Sequence, residues 1–196
     1  MSPSLCLRIL FASLTQHSPP SACAEEGKAG MRPYSEFYER AANGTLPSFS
    51  FMAPRQGTNQ TTGEGPNDDH PCHDVALGER LIKDTYEALR AGKGWEHTLF
   101  LVVWDDGGGW YDHVPPPCEG VPAPDDEKGC PDDFDFKRLG ARVPLLMASP
   151  WVPKGTLVHE PTAEPGTAAR PHATSQYEHT SILSTLKNLF GLPSFL

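Results

Sequence analysis

An α/β fold is what this sequence predicts, and three stretches carry the prediction. Thr98-Leu-Phe-Leu-Val-Val-Trp104 is an unbroken run of apolar or β-branched residues closed by two acids and three glycines, the pattern of a parallel strand covered on both faces. Residues 75–90 place Val75, Gly78, Ile82, Thr85 and Leu89 on one helical face with Leu81 beside them. Asp74 stands ready as the N-cap of that helix and Gly92 as its stop. Residues 46–52 alternate enough to form a short strand. Strand, helix, strand in that order is a βαβ unit, because parallel strands need a crossover between them.

The remaining elements follow in chain order. Residues 1–30 show no clear periodicity and read as a leader or a disordered segment, with 31–196 forming the domain. The apolar stretch 5–14 is broken by Arg8, and Ala22-Cys23-Ala24 has the small-x-small form of a signal-peptidase site, but the charged n-region of a secretory signal is missing. Residues 34–42 suit a short helix closed by Asn43-Gly44, and the polar stretch 56–66 reads as a mobile surface loop. After the main strand comes an acidic, Pro-rich segment between Cys118 and Cys130. Residues 143–149 are the next strand, with Pro144 marking an edge or an irregular start. The Pro- and Thr-rich stretch 160–173 is loop. Ser175-Gln-Tyr-Glu178 has the form of a capping box for a helix running to Phe190, with Ile182, Leu186 and Leu189 on one face and Gly191 as its stop.

Composition narrows the function. A chain of 196 residues can bury a sizeable core as one domain, yet 38% hydrophobic content with 21 prolines and 18 glycines makes it loop-rich. A net charge of −9 without a basic stripe argues against nucleic acid as a partner. An acidic site that acts on phosphates needs a cation to offset repulsion. No apolar run approaches the roughly 20 residues that span a bilayer. The five cysteines show no zinc-type spacing; Cys118 and Cys130 would pair as a disulfide only in an oxidising compartment. The sequons Asn43-Gly-Thr45 and Asn59-Gln-Thr61 would be used only in a secretory setting. Together these features slightly favour a secretory or extracellular location over a cytoplasmic one.

Asp105 and Asp106 mark the site, since α/β sheets hold ligands at the C-terminal ends of parallel strands. Gly107 to Gly109 let the backbone turn and approach a ligand without a Cβ in the way. Two adjacent acids bind a cation if the chain turns between them, and they equally serve as caps of the turn. Spacing alone weighs these two readings evenly. Lone histidines such as His17, His97 and His172 read as surface or structural, and Asp69 and Asp74 as capping residues.

Four blocks then add a resemblance. Trp104-Asp-Asp-Gly-Gly-Gly-Trp-Tyr-Asp-His-Val-Pro-Pro-Pro117, Asn67-Asp-Asp-His-Pro-Cys-His-Asp74, Arg138-Leu-Gly-Ala-Arg-Val-Pro144 with Ser149-Pro-Trp151, and Ser175-Gln-Tyr-Glu-His-Thr-Ser-Ile182 resemble the phosphoesterase family of bacterial phospholipases C, plant non-specific phospholipases C and related acid phosphatases. In that family the first block usually reads Asp-Glu-His-Gly-Gly-Phe-Tyr-Asp-His-Val-Pro, so Asp106 keeps a carboxylate while Gly107 replaces a histidine. The resemblance implies a partial alkaline-phosphatase-like sandwich, with a mostly parallel sheet and helices on both faces. It also implies a phosphoric-ester hydrolase acting on phospholipids or phosphate monoesters, with peripheral membrane contact in the first case. Asp105 and Asp106 would hold a divalent metal ion of unspecified identity. His70, His113 and His179, each inside a family-like block, would contact phosphoryl oxygens or the leaving alcohol. His179 also suits an anion at a helix N-terminus, although capping explains its position equally. His73 and His159 stay open, and Asp112 would orient His113 only if the turn folds back. The family's Glu-Asn-Arg-Ser-Phe-Asp block and its hydroxyl nucleophile find no match, so the chain resembles the C-terminal half of such an enzyme. The competing reading is a non-catalytic remnant or a phosphate-binding domain.

Overall fold

The computed structural model describes residues 8–14, 32–123, 125–126, 128–129 and 134–194. In chain order the elements are β1 (Arg8–Leu14), α1 (Tyr34–Asn43), β2 (Phe49–Met52), α2 (Val75–Ala91), a 3-10 turn (Trp95–His97), β3 (Thr98–Trp104), β4 (Leu145–Ala148) and α3 (His179–Phe190). They fall into two compact units, one from the described part of residues 1–110 with 143–154, the other from residues 111–142 with 155–196.

The first unit holds a mixed sheet in the order β2-β1-β3-β4. β1 runs parallel to both β2 and β3, and β4 runs antiparallel to β3, with Leu101 opposite Met147 and Val103 opposite Leu145. The strand, helix, strand order at 46–104 therefore does join two parallel strands, but β1 lies between them. A crossover carrying a 17-residue helix has the reach to skip one strand. The expectation that residues 1–30 lack structure fails at Arg8–Leu14. Arg8 opens the strand instead of interrupting it, and the tract is too short to show a period by itself. The suggested peptidase site at Ala22 to Ala24, His17, and the Cys130 half of the suggested disulfide lie outside the described residues.

β4 starts directly after Pro144, which has no N–H to give a ladder, and it takes the edge of the sheet. Its antiparallel pairing makes the sheet mixed, with the other two pairings parallel. A strand reached through the other unit is free of the crossover constraint that keeps β1, β2 and β3 parallel.

Packing follows from the strand period. Phe100 and Val102 project to one face of β3, where they bury against Ala41, Leu46, Leu89 and Trp95 from α1, α2 and their flanks. Each such side chain contributes about 1.5–3 kcal/mol by leaving water. A second cluster, Met52 with Leu81 under Tyr34, Phe37 and Trp104, closes the core toward the C-terminal end of β3. α2 is capped as its sequence predicts: the Asp74 side chain accepts from the Ala76 N–H at 3.0 Å. Its buried stripe is Gly78, Leu81, Thr85 and Leu89, whereas Val75, expected on that face, is exposed. The fully buried Thr85 donates its hydroxyl to Met52 Sδ at 3.4 Å, which satisfies it. α1 ends at Gly44, whose φ of 71° lets its N–H close back on the last turn.

In the second unit α3 starts at His179, later than Ser175 suggests. The capping box is Glu178 with Ser181, the Glu178 N–H donating to Ser181 Oγ at 3.1 Å. Ser175 Oγ instead accepts from the His172 N–H at 3.0 Å. The helix buries Ile182, but Leu189 lies exposed. Leu139 N–H donates to Pro117 O at 2.9 Å, and Thr174 Oγ1 to Gly120 O at 2.6 Å, tying the loops of this unit together.

Candidate functional site

At the end of β3 the backbone turns at once. Asp106 Oδ1 accepts the Gly108 N–H at 2.6 Å, and Gly108 and Gly109 adopt φ values of 59° and 74°, which a side chain would resist. Asp106 thus acts as a turn cap, one of its two expected roles. Asp105 is half-buried and Asp106 exposed. Among the described residues no three His, Cys, Asp or Glu side chains converge as a metal site. Two adjacent carboxylates are fewer donors than a divalent cation needs for tight binding, so the described residues do not by themselves fit the implied metal.

The loop of residues 67–74 meets this strand end. Trp104 Nε1–H donates to Asp69 Oδ2 at 3.1 Å, so the last residue of β3 holds the loop directly. A Cβ at Gly108 would touch Pro71 Cδ, 3.9 Å away, which brings the glycine turn against the residue that follows His70. Asn67 fixes the other end of the loop: its Oδ1 accepts the Arg55 N–H at 2.6 Å and its own N–H donates to Arg55 O at 2.8 Å. Asp69, read from sequence as a cap, is instead this loop's anchor. Burial pushes its carboxyl above the ordinary range, offset by the Trp104 bond and reinforced by Asp68 and Glu79. Its Oδ1 is buried without a hydrogen-bond partner and rests over α2 where Gly78 has no Cβ to block it.

Within the loop His70 and His73 lie with ring centroids 5.3 Å apart. Behind His73 sits Asp68, its Oδ1 2.6 Å from His73 Nδ1 and its side chain 2% exposed. Asp68 Oδ2 is buried with no partner, a state that costs about 1–3 kcal/mol and calls for an explanation. Asp69 and Cys72 hold φ of 59° and 79°, unfavourable for residues with a Cβ. Sequence alone does not single out Asp68 and leaves His73 open. The available signal was two acids and two histidines within seven residues ahead of a helix, but only left-handed backbone at Asp69 and Cys72 brings residues five apart together.

The second unit carries the other two candidate histidines, His113 and His179, each on its own segment. His113 is largely exposed, its Nδ1 3.7 Å from Asp112 Oδ1, too far for a hydrogen bond. Asp112 turns instead to Arg142, which donates through Nε to Oδ2 at 2.8 Å and through Nη2 to Oδ1 at 2.7 Å. That bidentate fork, with the Val114 N–H bond, holds the Asp112 carboxyl far below the usual carboxylate range. Asp112 therefore fastens the turn of its own loop and does not orient His113. His179 is the exposed first residue of α3. His159 pairs with Glu160 at 3.5 Å in the open.

The profile of the phosphoesterase family matches residues 9–193. Non-specific phospholipase C6 of Arabidopsis thaliana is 47% identical over 160 residues, covering 81% of this chain and 29% of its own length. Non-specific phospholipase C1 of the same plant is 51% identical over 153 residues, 77% of this chain and 27% of the relative. Phospholipase C B of Mycobacterium tuberculosis is 27% identical over 168 residues, 81% and 28% respectively. The chain thus spans less than a third of the length of the curated relatives it matches.

Proposed function

Because the chain belongs to the phosphoesterase family, we propose that it carries part of the active site of a phosphoric-ester hydrolase acting on phospholipids. The observation that carries this reading is the Trp104 to Asp69 bond. It joins two family-like blocks at the C-terminal end of β3, where a sheet of this kind holds ligands. His70 there, and by the same resemblance His113 and His179, donate to phosphoryl oxygens or protonate the leaving alcohol. The implied divalent metal would draw charge off the phosphoryl group, with Asp105 and Asp106 holding it only alongside donors from elsewhere in the family's length. An alkaline-phosphatase-like sandwich is the fold proposed for that full length, and a secretory setting for its location.

A lipid substrate is supported by the tip of the glycine turn. Trp110 and Tyr111 are 67% and 92% exposed, and aromatic rings of this type settle at membrane interfaces. Replacing both with alanine is expected to weaken binding to phosphatidylcholine vesicles roughly tenfold or more, as burial of one large ring is worth about 1.5–3 kcal/mol. Vesicle co-sedimentation measures it, and unchanged binding would remove the aromatic pair from the lipid contact.

The assay that tests the function compares phosphatidylcholine vesicles with p-nitrophenyl phosphate as substrates across several divalent metals. The reading predicts turnover below about 1 per second for this chain, lost in Asp105→Ala and higher on the lipid. Preference for the monoester would point to the phosphatase branch. Phosphate binding with no turnover on either substrate would favour the non-catalytic alternative, for which the missing third metal donor among the described residues is the supporting observation.

A further inference from the structure

Asp68 and His73 have no part in the function as set out so far. Asp68 is a carboxylate 2% exposed, with one oxygen 2.6 Å from His73 Nδ1 and the other buried without a partner. His73 keeps 29% of its side chain exposed and lies beside His70. Left-handed backbone at Asp69 and Cys72 holds the pair together, and strain of this kind clusters where function requires a fixed geometry. The bond from Trp104 to Asp69 fastens the same loop to the end of β3.

We propose that His73 is a catalytic proton-transfer residue and Asp68 its positioning residue. An ionised Asp68 only accepts, so Nδ1 carries the ring proton and Nε2 keeps its lone pair. The inference rests on the phosphoric-ester reading. In that hydrolysis a water oxygen bonds to phosphorus while its proton passes to His73 Nε2. The bond from phosphorus to the alcohol oxygen breaks on the opposite side with its electron pair on that oxygen, which takes a proton from solvent, and Nε2 gives its own proton up to solvent. One proton has left the water and one has reached the alcohol, and the histidine ends as it began.

Nitrogen-15 spectra of the histidine-labelled 196-residue chain, with inorganic phosphate as the probe, test the proposal. The expected result is an Nδ1–H tautomer at His73 and a saturable phosphate-dependent shift of its ring, while the exposed His97 and His172 stay unmoved. Asp68→Asn, checked for folding by its amide spectrum, should lose the tautomer preference. His73→Gln, at a partly exposed position, should reduce the phosphate-dependent broadening of the phosphorus-31 line. An Nε2–H tautomer, a His73 ring indifferent to phosphate, or unchanged broadening in His73→Gln would each overturn it. Broadening with a silent His73 sinks this inference alone and leaves the phosphoric-ester reading standing; no broadening at all counts against both.

Discussion

Asp112 and Asp69 are pushed in opposite directions by their surroundings, and the signs give separate predictions. The Arg142 fork lowers Asp112, so its stabilisation is present above the unfolded value of about 3.9 and is lost only as pH falls through the depressed folded value. Carbon-13 titration of the Asp112 carboxyl should show it ionised well below the other aspartates. Arg142→Lys, which keeps the charge but loses the fork, should move it back toward the ordinary range; an Asp112 already titrating there in the wild type would show that the fork does not form. Asp69 is raised by burial. As pH climbs from about 3.9 to its folded value, the unfolded carboxyl ionises first and the fold loses stability. Asp69→Asn keeps an acceptor for Trp104 and tolerates the left-handed backbone, so it should be more stable than wild type at pH 7 and no more stable at pH 3. Urea midpoints at the two pH values check this, and an equal gain at both would rule out the charge as its cause. None of this was legible in the sequence, where Asp69 passed for a cap and Asp112 for a possible partner of His113. Each depends on a residue distant in the chain, 35 positions away for Asp69 and 30 for Asp112.

Elements with a strong local code were readable. α1 with its glycine stop, α2 with its Asp74 cap, and the buried β3 lie where periodicity and capping chemistry put them. β1 was not readable, because a short tract opened by an arginine becomes a strand only through its two neighbours. α3 was displaced at its start because two serine-containing boxes overlap, and the Glu178 to Ser181 pair is the one that forms. The Gly78 seat tests how closely α2 and the loop of residues 67–74 fit. In an exposed helix, glycine to alanine stabilises by about 1 kcal/mol. Here the added Cβ would overlap Asp69 Oδ1, so Gly78→Ala should destabilise by about 1–3 kcal/mol, with the resonance of the Trp104 indole N–H shifting as its bond to Asp69 is disturbed. A stabilised variant with an unmoved indole signal would mean that Asp69 does not rest on the helix.

At the scale of the whole molecule, the family was legible because its blocks are contiguous in sequence, and the profile match across residues 9–193 bears that out. The arrangement inside those blocks was legible only in part. The sequence pointed to Asp105 and Asp106 at the end of β3 and to His70, His113 and His179 as phosphate contacts, but the buried acid behind His73 depends on backbone conformations that composition does not announce. The central claim is that this chain carries working phosphoesterase site residues although it spans less than a third of its relatives' length. A chimera tests that claim most directly: residues 9–193 of this chain replace the matching segment of the Arabidopsis thaliana non-specific phospholipase C6, and hydrolysis of phospholipid vesicles is measured. The account predicts that the folded chimera hydrolyses phospholipid and that Asp105→Ala or His70→Gln lowers its turnover by about 100-fold or more. A folded chimera without activity, or one indifferent to both substitutions, would contradict it.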